Sequence, residues 1–62
     1  MTSDHMDSRV LAVLRKEQVP LTVTELGRRK LGLPHGHLRR ILRRLEQRGV
    51  AVVDDQGHWR AT

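Results

Sequence analysis

The 62-residue sequence contains no cysteine, tyrosine, phenylalanine or asparagine, and its one aromatic residue is Trp59. Without cysteine there is no disulfide to brace the fold and no thiolate to hold a metal, which is compatible with a reducing cytosol. No apolar run approaches the roughly 20 residues that cross a bilayer, and no secretion signal opens the chain. A soluble, cytoplasmic protein with no membrane partner is expected. A chain this short forms one domain at most, with a small core and a net stability of about 3–5 kcal/mol. Catalytic groupings are lacking too. No carboxylate pair lies in an apolar setting, Ser8 and the threonines have no base at readable spacing, and there is little room for a pocket. Neither an enzyme, a cofactor nor a small-molecule ligand is expected. His35, His37 and His58 do not read as a metal site. On a helix His35 and His37 point about 200° apart, and no cysteine completes the set.

Arginine is abundant. The net charge is +5, and ten of the twelve basic residues are arginine. The excess lies in residues 22–48, where Arg28, Arg29, Lys30, Arg39, Arg40, Arg43, Arg44 and Arg48 face only Glu25 and Glu46. Residues 1–21 balance Arg9, Arg15 and Lys16 against Asp4, Asp7 and Glu17; residues 49–62 set Arg60 against Asp54 and Asp55. The planar guanidinium fork suits phosphates and guanine edges. A merely solvated, arginine-rich helix is the plain alternative.

The opening "MTSDHM" is polar and without periodicity, and its His-Met pair is of the kind cloning leaves behind. Residues 1–6 are therefore expected to be a disordered leader, with the native start at Met1 or Met6 and the folded domain at residues 7–62. A first helix is expected from a cap at Asp7 or Ser8, with Val10, Leu11, Val13 and Leu14 inward and Arg15-Lys16 at its end. Pro20 enforces a break. Thr22-Val23-Thr24-Glu25 has the spacing of a capping box and opens a second helix, with Val23, Leu26 and Gly27 inward. Gly27 lets a neighbouring helix pack closely. Leu31 stands five residues after Leu26, where helical spacing would bury Lys30 instead. Either the helix ends near Lys30, or its last turn is distorted and swings Leu31 inward. Gly32 is the left-handed stop.

The third helix is expected from Pro34 to about residue 48. Leu38, Ile41, Leu42 and Leu45 follow the i, i+3, i+4, i+7 rule and form the buried stripe. Gly36, Arg40, Arg43 and Gln47 point outward, with Arg39 on one flank and His37 and Arg44 on the other. Gly49 ends the helix. Val50-Ala51-Val52-Val53, a turn at Asp54-Asp55-Gln56-Gly57, and His58-Trp59-Arg60-Ala61 make a hairpin that turns Trp59 and Ala61 inward. The fold class is mainly α with a small β-hairpin: a winged helix-turn-helix of three helices and a two-stranded wing. In such modules the second helix of the pair enters the major groove, and its early residues reach base edges. Sequence-preferring binding of double-stranded DNA is expected, as a prokaryotic, nucleoid-associated repressor or accessory factor. Many such proteins bind as homodimers, although no dimerisation element is read here. The alternative is a protein-interaction module that docks its arginine face on an acidic partner.

"PLTVTELGRRKLGLP" followed by "LRRILRRLEQRGVAVVDDQGHWRAT" resembles the DNA-binding domain of the isocitrate-lyase-regulator (IclR) type of bacterial transcription factors, over residues 20–61. The resemblance implies that Thr22 and Thr24 lie near a phosphate. It also implies that His35, Gly36, His37, Arg39 and Arg40 face the groove, and that Gln56 and His58 belong to the wing tip. Arg28 and the lateral Arg44 are expected on phosphates, and Arg40 and Arg43 on bases. Four departures from the family pattern stand out. Lys30 is an extra residue before the turn, and Gly27 stands where alanine is usual. His35-Gly36-His37 replaces small polar residues, and Val52-Val53 replaces a basic pair. The family's ligand-binding domain has no counterpart in these residues. Winged helices that bind left-handed DNA are a poorer match, because they depend on an asparagine and a tyrosine where this chain has Arg39 and Arg43.

Overall fold

Leu38, Ile41, Leu42 and Leu45 stand on one face of helix α3 (His35–Gln47), and in the computed structural model all four are completely buried. The structure describes residues 2–62, except for the side chains of residues 2–4 and 29. Burying a side chain of this kind contributes about 1.5–3 kcal/mol over leaving it exposed, so this stripe dominates the core. Helix α1 (Thr2–Lys16) covers it with Val10 and Leu14. Strands β1 (Leu21–Thr22), β2 (Ala51–Val53) and β3 (His58–Ala61) add Leu21, Ala51 and Trp59. Helix α2 (Val23–Glu25) continues into a widened, π-helical segment, Leu26–Leu31, which adds Leu26. Three helices and a small antiparallel sheet make a winged helix.

The sheet has one strand more than the expected hairpin. Its order is β1-β3-β2, with Leu21 opposite Trp59 and Val53 opposite Trp59 on the other side. Trp59 thus lies on the central strand and is buried, while Arg60 points to solvent. The expected alternation of the hairpin is the one found.

The first helix differs from expectation. It opens at Thr2, ahead of Asp7 and Ser8, and Asp7 is a buried residue within it instead of a cap. Met6, assigned to the leader, packs against the core. Its place explains the extension: Met6, Val10, Val13 and Leu14 continue one helical face. Met1, the first residue of that expected leader, lies outside the described residues.

At the second helix the capping box forms as expected. The Thr22 hydroxyl oxygen accepts from the Glu25 amide at 3.2 Å, and the Thr22 amide donates to Glu25 Oε1 at 3.0 Å. Of the two alternatives for Leu31, the distorted turn is the one adopted. The i→i+5 winding of the segment brings Leu31 against the core, and Gly32 then stops it at φ 64°. Pro34 stands just outside α3 instead of inside its first turn, and its carbonyl accepts from the Leu38 amide at 3.0 Å.

Candidate nucleic-acid interface

Helix α3 is held on two flanks. On the α1 side, Arg44 reaches Asp7 with two hydrogen bonds: Nη2 to Oδ1 at 2.8 Å and Nε to Oδ2 at 3.1 Å. The Asp7 side chain is 4% exposed and that of Arg44 44%. This pairing gives Arg44 a structural task, because one edge of its planar fork is committed to a carboxylate that would otherwise be buried unpaired. On the other flank, Arg39 and Arg43 overhang a crevice of about 330 Å³ between α3 and the wing, lined also by Val23, Val53, Gly57 and Trp59.

Between these flanks the face of α3 is open. Gly36, His37, Arg40, Arg43 and Gln47 are exposed there. Arg43 lies 3.9 Å from Glu46 and remains 76% exposed, a pairing too loose to hold it. Arg39 and Arg40 form no ion pair among the described residues. Arg39, Arg40 and Arg43 therefore share one exposed surface, while Arg44 is bound to Asp7.

The turn into α3 is tight. A Cβ on Gly27 would stand 2.9 Å from the Leu33 carbonyl oxygen and 3.4 Å from Cδ2 of His35. Gly27 faces inward as expected, and the contact with backbone leaves no room for a methyl group. His35 consequently lies over Gly27, at the junction of the two helices. Lys30 Nζ sits 3.5 Å from Glu17 Oε2 and ties the widened segment to the end of α1.

The wing turn is built by Asp54. Its Oδ1 accepts from the Gln56 and His58 amides, both at 2.9 Å, and lies 3.6 Å from His58 Nδ1. The amide of His58, more than any other group, holds the Asp54 carboxyl below its ordinary value of 3.8. Gly57 completes the turn at φ 83°. Asp54 and Asp55 are both exposed, so the wing tip that carries Gln56 and His58 is locally acidic.

Of the other expected contacts, Thr24 and Arg28 are exposed, while the Thr22 hydroxyl is engaged in the capping box. Asp7, the anchor of α3, was not anticipated, and nor were Val23, Val53 and Trp59 as walls of the crevice. Among the described residues no group of three or more histidines or carboxylates comes together as a metal site, and no helix is long and apolar enough to cross a membrane.

A family model, that of the IclR helix-turn-helix domain, matches residues 8–55, from the first helix into the wing turn. Comparisons with curated proteins and with solved structures gave no match.

Proposed function

The chain belongs to the IclR helix-turn-helix family, whose domain is a DNA-binding module of transcription regulators, and we propose that it reads double-stranded DNA by seating α3 in the major groove. One observation carries this reading. Arg39, Arg40 and Arg43 stand exposed on a single surface, whereas Arg44 is tied to Asp7. A fold that needs one arginine of four presents the rest to a partner.

Roles follow from position. Arg40 and Arg43, at the centre of the outward face, reach base edges together with Gly36 and His37. Arg39 overhangs the crevice and meets a backbone phosphate at its mouth, and Arg28 and Thr24 meet another. Asp54 and Asp55 oppose a close approach by the wing tip, so Gln56 and His58 contribute little. Homodimeric binding, common among helix-turn-helix proteins, belongs to the same reading, as does action on the nucleoid as a repressor or accessory factor.

A mobility shift on random duplexes, followed by selection, tests it. With two cationic phosphate contacts, from Arg39 and Arg28, log K should fall against log salt with a slope of about −2. Arg40→Ala or Arg43→Ala should cost about 1–3 kcal/mol and relax preference at one or two base pairs. The stoichiometry of the shifted complex reports the homodimer. Absence of binding, or affinity indifferent to salt, removes the DNA reading. Competition by polyglutamate as strong as that by duplex would favour the acidic-protein alternative.

A further inference from the structure

Four of the five glycines have a reason in the fold. Gly32, Gly49 and Gly57 adopt positive φ, and Gly27 lies against the Leu33 carbonyl. Gly36 has neither reason. Its φ is not positive, and a Cβ built on it would meet nothing within 4 Å. It lies in the first turn of α3, exposed, between His35 and His37. Glycine is unfavourable in a helix because ordering its freer backbone costs more entropy than ordering alanine, and here no packing gain offsets that loss.

This unforced glycine sits on the same outward face as Arg40, one turn further on. We infer that the missing side chain serves the partner: Gly36 is the point at which the α3 backbone lies closest to the DNA, and bare backbone is what allows the helix to sink to the depth Arg40 needs. The inference rests on the DNA reading and adds a steric requirement to it. Hydrogen bonds to base edges form over only a few tenths of an ångström around 2.9 Å, so a methyl group wedged at Gly36 lifts Arg40 beyond their reach. Gly36 is in this sense a specificity-determining position that acts by absence.

The consequence is a pair of effects with opposite sign. Gly36→Ala should raise the melting temperature by about 2–6 °C, from helix propensity alone. The same change should weaken binding to duplexes enriched by the wild-type protein by about tenfold. Gly36→Leu, also a good helix former, should melt no lower than wild type and bind weaker still. Thermal melts and mobility shifts on the three proteins decide the matter. Wild-type affinity in both variants, with raised or unchanged melting temperatures, overturns the inference and leaves the DNA reading standing. A lower melting temperature for Gly36→Ala also overturns it, since the fold would then be what requires glycine. If the wild-type protein enriches no sequence and shifts no duplex, the DNA reading falls and this inference with it.

Discussion

Removing Arg44 should damage the protein more than removing its partner Asp7, although both changes break the same ion pair. The Asp7 side chain is 4% exposed, whereas that of Arg44 is 44% exposed. In Arg44→Ala the carboxylate is left buried and unpaired, which typically costs about 3–5 kcal/mol. In Asp7→Ala the guanidinium turns to the water it already touches, and the loss is nearer that of charge-assisted hydrogen bonds, about 1–2 kcal/mol. A domain of this size holds only about 3–5 kcal/mol in all. Arg44→Ala should therefore be largely unfolded at 25 °C. Asp7→Ala should stay folded, with a midpoint lowered by roughly 5–15 °C. The double variant should melt near Asp7→Ala, because no buried charge remains. Trp59 is the only tryptophan and lies in the core, so its fluorescence follows unfolding in heat or urea. Arg44→Ala melting like the wild type, with a salt slope of DNA binding flatter by about one unit, would return Arg44 to the phosphates and refute the reasoning.

Gly27→Ala should lower the urea midpoint. Its Cβ would stand 2.9 Å from a backbone carbonyl, and the overpacking cost of about 1–3 kcal/mol outweighs a gain of about 1 kcal/mol in helix propensity. A raised midpoint would show that the turn into α3 is looser than described. For the wing turn, the Asp54 carboxyl is held below 3.8 by the His58 amide above all, so its stabilisation is complete above that value and is lost as pH falls through the lower, folded one. The difference in melting temperature between wild type and Asp54→Ala should shrink as pH falls below 3.8. A difference that persists undiminished near pH 2 contradicts this account of the turn.

The parts of the fold written in local spacing were legible in the sequence. The α3 stripe depends on residues three and four apart, and the Thr22–Glu25 capping box on residues three apart. Interactions between distant residues were not legible. Strand β1 is two residues long and exists only because Trp59 and His58 pair with it. Arg44 showed its place on the helix wheel but not its partner, since Asp7 lies 37 residues away. Met6 was misread because a single apolar residue in a polar stretch carries no period; it belongs to the α1 face only once Val10 and Val13 are counted with it. Spacing alone did reveal that Leu31 was out of step with Leu26, and it narrowed the cause to two possibilities. The choice between them depended on the tertiary gain from burying Leu31. In the candidate site, the exposed arginines of α3 were found from their angle on the helix, whereas the acidic tilt of the wing tip depends on how Asp54 folds the turn.

An extra residue in an α-helix rotates everything beyond it by about 100°. Passed on to α3, that rotation would swing Arg40 and Arg43 away from the surface they share. The winding of Leu26–Leu31 takes up the excess residue within one turn, so Leu31 returns to the core side and the chain leaves through Gly32 on the bearing that α3 requires. Length and phase are uncoupled at this point. The widened turn brings Leu31 to the core side, while the helix that follows keeps its arginines on the opposite, exposed side.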